Sequence, residues 1–239
     1  MPDDPTTLAL VLAIVALGAA LQGAAGFGMA LIAAPPLMIL APELIPGPLI
    51  ASGVVLTGAV ALRDRAAIDF SGLRYSLLGR ALGTALAALF LAVSSAQAFD
   101  LAFGLFVLTG VGLSAAGIQL RLSPLSAGLA GLLSGLMGTI SAIGGPPMAL
   151  LYQHSGLDRL RATLSGYFVL GVGFSLLALA AVGRFGWSEF KLSLLLSPAM
   201  AVGFLLSILL QNRLPERAIR PIILILSLLS GVWVIYRAA

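Results

Sequence analysis

Residues 122–157 read LSPLSAGLAGLLSGLMGTISAIGGPPMALLYQHSGL, thirty-six positions without an Asp, Glu, Lys or Arg. As a single helix this run would extend about 54 Å at 1.5 Å per residue. A bilayer's hydrocarbon core is only about 30 Å thick, which some 20 helical residues cross. The run is therefore too long for one span. Its middle carries Gly138-Thr-Ile-Ser141 and then Gly144-Gly145-Pro146-Pro147. Glycine weakens a helix interior, and proline removes a hydrogen bond and clashes with the preceding turn. The run reads as two short helices joined by an unwound turn.

Residues 5–42 repeat the pattern, with Gly23-Ala-Ala-Gly26-Phe-Gly28 and then Pro35-Pro36 inside a second overlong uncharged run. Six further uncharged runs fit one span each: Leu44–Leu62, Ala81–Phe99, Leu101–Leu120, Ala162–Gly183, Leu192–Asn212 and Pro221–Tyr236. The whole chain has 60% apolar and 9% charged residues, against roughly 25% charged in a soluble domain. Such a chain cannot cover a water-facing surface, so its solvent is lipid. The acidic start Met1-Pro-Asp-Asp-Pro5 lacks the positive flank of a cleaved leader, and the first apolar stretch reads as retained.

The composition excludes several functions. A formal charge of +4, scattered along the chain, is no nucleic-acid footprint. The absence of cysteine removes disulfides and thiol chemistry, and the single His154 cannot build a histidine metal site. No cofactor is expected. The P-loop pattern does not occur, so energy comes from a gradient or a partner. A proton or a sodium ion is the candidate coupling ion.

The two halves correspond. Leu21-Gln22-Gly23 answers Leu136-Met137-Gly138, Pro35-Pro36 answers Pro146-Pro147, and Asp69-Phe70 answers Glu189-Phe190. Gly83 answers Gly203, and Gly110-Val111 answers Gly231-Val232. This constant order points to an internal repeat. If each broken run is a hairpin that leaves on the side it entered, ten basic residues share one side: Arg63, Arg65, Arg74, Arg80, Arg121, Arg159, Arg161, Arg213, Arg217 and Arg220. Only Arg184, Lys191 and Arg237 remain on the other. If each broken run crosses once, the split is seven to six. The positive-inside rule favours the hairpins. The expected fold is all-α and integral to the membrane, with two inverted repeats, residues 1–120 and 121–239. Each is a broken-helix hairpin followed by three transmembrane helices, and both termini are extracytoplasmic.

Non-helical backbone at membrane depth is tolerated only where protein buries it or where it lines a wet cavity. Two such breaks meeting at a repeat interface mark a transporter's substrate site. A half-helix beginning at Pro146-Pro147 would aim free N–H groups and a partial positive charge at the break, as would one after Gly28 or at Pro35-Pro36, and these ends suit an anion. Gln22, Thr139 and Ser141 are the polar candidates beside them. For a single glycine, close helix packing is the competing reading. Arg80, some five residues inside its span, reads as snorkelling to the surface. Asp100 sits at a span end and Asp69 and Glu189 in loops. Glu43 is solvated, and His154 lies at a hairpin mouth. Trp187, Trp233 and Tyr236 read as an aromatic belt.

Gln22-Gly23-Ala-Ala-Gly26-Phe-Gly28 with Pro35-Pro36-Leu37 resembles the first signature of the sulfite exporter TauE/SafE family. Gly135-Leu-Met-Gly138-Thr-Ile-Ser141-Ala-Ile-Gly144-Gly145-Pro146-Pro147 resembles its second. Arg63 to Phe70, Pro198 to Gly203 and the closing Gly231 segment fit as well, whereas Ala24-Ala25 and Phe27 depart from the most glycine-rich versions. The resemblance implies a transporter of small anions, sulfite or organosulfur anions such as sulfonates, in the cytoplasmic (inner) membrane of a bacterium. The two breaks themselves nominate as substrate-binding residues Gln22, Gly23, Gly26, Phe27, Gly28, Gly138, Thr139, Ser141, Gly144, Gly145 and Pro146. The expected partners are the anion and the lipid bilayer, with oligomeric state open. A passive anion channel on the same fold is the alternative. An intramembrane enzyme would need clustered acids, a metal site or an activated nucleophile, which the residues do not offer.

Overall fold

The computed structural model describes residues 4–116, 120–210 and 216–238, without the side chains of 71, 216–223 and 226. Ten α-helices follow one another: α1 Pro5–Ala25, α2 Met29–Leu40, α3 Gly47–Arg63, α4 Phe70–Val93, α5 Ala96–Ala115, α6 Pro124–Ser141, α7 Gly145–Tyr152, α8 Leu157–Ala181, α9 Trp187–Leu210 and α10 Glu216–Ala238. No strand occurs among the described residues. α1, α4, α5, α6, α8 and α9 are each long and apolar enough to cross a membrane. Their outer faces carry Leu89, Val93, Leu177 and Leu209 in the open. A surface so rich in exposed large apolar side chains belongs against lipid, and the protein is an integral membrane protein.

Both overlong runs are broken, but later than the glycines suggest. α1 is 21 residues long and α6 is 18, so each first arm is itself span-length and only the second arms, of 12 and 8 residues, are short. Two short helices per run is therefore corrected to one long and one short. The chain leaves the helix only where φ turns positive, at Gly26 and Gly28 in the first run and at Ala142 in the second. Gly18, Gly23, Gly131, Gly135 and Gly138 stay helical, since a missing Cβ does not by itself forbid a helix.

Pro35-Pro36 does not break the chain either; both prolines lie inside α2. A proline at 35 cannot donate to the carbonyl of Leu31, which at membrane depth would be left unsatisfied. The hydroxyl of Ser227 on α10 donates to that carbonyl at 2.5 Å. A neighbouring helix thus makes the proline tolerable. Two smaller expectations also change: Glu189 sits in the first turn of α9, and Asp69, though outside a helix, is buried.

Charge-bounded runs misplace one helix. The run Ala81–Phe99 with a few flanking residues predicts a span that holds Arg80 near its start, yet α4 begins at Phe70 and carries both Arg74 and Arg80. Arg213, Asn212 and residues 117–119 lie outside the described residues.

α4 and α6 run parallel in backbone contact. Gly79 meets Gly128, Gly83 meets Leu132, and Gly131 and Gly135 meet the backbone at Ser76 and Arg80. Small residues four apart let two backbones approach this closely. α1 and α9 form a second parallel pair, with Gly203 against Ala16 and Ala20 and Gly23 against Ser207. α5 and α10 run antiparallel, Gly104 against Ile235 and Gly231 against Val107. α3 lies against α8 and α9.

At one end of the bundle the close of α3, the start of α4 and the start of α8 are tied by Arg161–Asp64 at 2.6 Å and Arg159–Asp69 at 2.8 Å. α10 finishes at the opposite end, where Gln97 at the start of α5 donates to the Ala238 carbonyl at 2.8 Å. α1 starts there too, since it parallels α9, which begins where α8 stops.

Candidate functional site

The first break is held open by glycine. Gly26 has φ 91° and Gly28 φ 113°, values a Cβ makes costly. Gln22, one turn before the end of α1, is buried, and its side-chain oxygen accepts from the N–H of Met29 at 3.1 Å. One of the orphan donors of α2 is thereby satisfied across the break. The others in that first turn have no intrahelical partner.

The second break turns on Ala142, a non-glycine residue at φ 64°. That conformation costs an alanine about 1–2 kcal/mol, and the surrounding contacts must hold it. The Ser141 hydroxyl donates to the Met137 carbonyl at 2.8 Å and accepts from the Ile143 N–H at 3.3 Å. The Ser134 hydroxyl donates to the Gly144 carbonyl at 2.6 Å. α7 then starts at Gly145, with Pro146 and Pro147 as its second and third residues. Prolines lack an N–H, so this helix start offers fewer backbone donors than its position suggests. The helix dipole remains.

The positive charge comes from elsewhere. Arg80 is 3% exposed and lies 11 residues into the 24-residue α4, close to mid-bilayer depth rather than at a surface. Snorkelling is thus overturned. Its Nη1 donates to the Ser134 hydroxyl at 3.2 Å, which ties it to the second break through Gly144. Its guanidinium carbon lies 5.0 Å from the centre of the Tyr167 ring and 5.9 Å from that of Phe168. Its Nε has no hydrogen-bond partner. Among the described residues no carboxylate pairs with it. Gly171 on α8 makes the room, because a Cβ there would overlap the guanidinium.

A cavity of about 60 Å³ opens between the breaks, room for about four water molecules at ~15 Å³ each. Gln22, Gly28 and Met29 line it from the first break, Gly138, Gly144, Gly145 and Pro146 from the second, and Arg80 between them. Thr57, Leu49, Ile50, Phe168 and Val172 also face it. Of the nominated residues, Gln22, Gly28, Gly138, Gly144, Gly145 and Pro146 are brought together. Phe27 stands behind them, its Cβ 3.1 Å from where a Cβ on Gly145 would sit. Gly23, Gly26, Thr139 and Ser141 lie outside the lining. Gly23 gives its carbonyl to Arg63 at 3.2 Å, and Gly26 abuts Arg161. Thr139 shares hydroxyl hydrogen bonds with Ser175 at 2.9 Å and Thr84 at 3.3 Å. Ser141 holds the turn. No local sequence signal marked Arg80, because the room for it comes from Gly171 on α8.

The tip of the first hairpin is fastened to the ion-paired end of the bundle. Asp64 accepts from Arg63 at 2.9 and 3.0 Å and from Arg161 at 2.6 Å, and Arg161 also reaches Asp158 at 2.9 Å. Burial would raise the Asp64 carboxyl, but the hydrogen bonds from Arg63 and Arg161 outweigh it and hold it below the usual carboxylate range. At the other end Arg184 reaches only backbone oxygen, the Leu91 carbonyl at 3.1 Å. In this conformation the arginine-rich end is the latched one.

The family model described as sulfite exporter TauE/SafE matches residues 10–234. No curated protein and no solved structure matches the chain significantly.

Proposed function

From the premise that this chain belongs to the sulfite exporter TauE/SafE family of membrane transporters, we propose that it is a secondary transporter for sulfite or an organosulfur anion such as a sulfonate. The anion occupies the cavity between the two breaks, and alternating access opens it to one side of the cytoplasmic membrane at a time. The observation that carries this reading is Arg80, a buried cation with no carboxylate partner among the described residues, lining a cavity walled by two helix starts. A small cavity with fixed positive polarity favours a compact anion over a neutral or cationic solute. Gln22, Gly28, Gly138, Gly144, Gly145 and Pro146 contact the substrate in this reading, while Ser141 and Thr139 hold the second break in shape.

In the same reading residues 1–120 and 121–239 are inverted repeats. Exchanging the halves carries the parallel pair α4–α6 onto α9–α1, α3–α9 onto α8–α4, and α2–α10 onto α7–α5, and each of these contacts is present. This pattern supports a pseudo-twofold axis, about which rocking would exchange the latched and unlatched ends. With the arginine-rich end cytoplasmic, a compartment-sensitive reporter on either terminus is expected to read extracytoplasmic. A cytoplasmic signal from either would sink this topology.

The latch at the arginine-rich end argues against a permanently open pore. Purified protein in liposomes, challenged with sulfite, methanesulfonate, sulfate and acetate, is expected to show saturable flux with counterflow for at least one sulfur oxyanion. Flux rising linearly with concentration and voltage would make the protein a channel. A panel in which no anion moves would overturn the assignment.

A further inference from the structure

The protein buries two arginines to the same degree and treats them differently. Arg80 and Arg161 are each 3% exposed. Arg161 is compensated by the carboxylates of Asp64 and Asp158. Arg80 has one hydroxyl partner, two ring faces and an unpartnered Nε, with no carboxylate among the described residues. No acid or histidine lines the cavity beside it. The cavity wall therefore offers no titratable group that could neutralise the guanidinium when water is shut out.

We propose that Arg80 makes transport an obligatory exchange of one anion for another. The inference rests on the transporter reading and adds a kinetic constraint to it. Alternating access passes through an occluded state in which the cavity is closed at both ends. Water cannot then solvate the guanidinium, and an uncompensated buried charge is heavily penalised. A bound anion supplies the missing charge and hydrogen bonds. The loaded carrier closes readily, the unloaded one reluctantly, so an anion has to return before the next can leave. The carboxylate latch at Asp64 shows how this chain compensates an arginine that must stay buried throughout. Arg80 has no such partner because the cargo takes that place.

The test uses the full chain in liposomes loaded with radiolabelled sulfite, with the membrane potential clamped by potassium and valinomycin. Efflux is compared into external sulfite and into potassium gluconate, whose anion is too large for the cavity. Exchange is expected to exceed net efflux by at least about tenfold, the slowing that even a modest increase of the barrier produces. In Arg80→Gln, half-saturation by sulfite should rise at least about tenfold, while the ratio of exchange to net efflux falls toward one. Arg80→Lys should keep a high ratio with weakened affinity. A merely structural Arg80 would lower both modes together without changing their ratio. Net efflux as fast as exchange in the unmodified protein would overturn the proposal and leave the transporter reading intact. No sulfite movement in either mode would take down both.

Discussion

Gly171→Ala should leave the protein folded and cut anion transport by about 10- to 100-fold, the worth of one or two displaced charge-assisted hydrogen bonds. A Cβ at 171 would overlap the Arg80 guanidinium and nothing else of consequence. Alanine is the best helix former, so α8 itself gains. The guanidinium must then move off its position between Ser134 and the rings of Tyr167 and Phe168, out of the cavity wall. Elution profile and melting temperature in detergent should stay close to those of the unmodified protein while proteoliposome flux falls. Unchanged flux in the variant would mean that Arg80 can relocate without consequence, and would remove it from the site.

Gly83→Leu should instead destroy the fold. A Cβ at 83 meets not a flexible side-chain end but the backbone of Leu132 on α6. Neither helix can yield locally, because the same close approach repeats at Gly79, Gly131 and Gly135. The parallel pair must separate along its length, which overpacking figures put at about 3 kcal/mol or more. That is a large part of a typical stability of roughly 5–15 kcal/mol. Separation would also drag Ser134, and with it Gly144, away from Arg80. Little monodisperse protein should be recovered, and its melting temperature should be sharply lower. A well-folded Gly83→Leu protein would show that the α4–α6 contact is looser than described. The two glycines lie in similar apolar contexts in the sequence, and only what each would strike separates the outcomes.

Part of the cavity's lining could be read from the chain before its coordinates. Glycine and proline in an overlong apolar run signal irregular backbone, which nominates Gly23, Gly26, Gly28, Gly138, Gly144, Gly145 and Pro146, with Gln22, Thr139 and Ser141 as the polar groups beside them; the cavity gathers Gln22, Gly28, Gly138, Gly144, Gly145 and Pro146. Gly23, Gly26, Thr139 and Ser141 lie outside its lining. On a helix, neighbours in sequence point to different faces, so these four serve packing, the latch and the turn. Arg80 was misread for a related reason. Some five residues inside a span is within reach of the surface, whereas α4 starts at Phe70 and Arg80 is its eleventh residue.

Composition and the length of its uncharged runs determine, without any coordinates, that this chain lives in lipid and that two of its runs must break. Those properties follow from solvation and from covalent rules local to the chain: too few charges to face water, and too many residues for one crossing. Tertiary structure alone decided where each break falls and which cation reaches it. Pro35 is tolerated inside its helix with Ser227, 196 positions away, taking the Leu31 carbonyl. Arg80 stays buried because Ser134, Tyr167, Phe168 and the bare Gly171 build a place for it from two other helices. The cost of an unpaired carbonyl or an uncompensated guanidinium is set by what stands within about 3 Å of it, and no stretch of sequence records that neighbour.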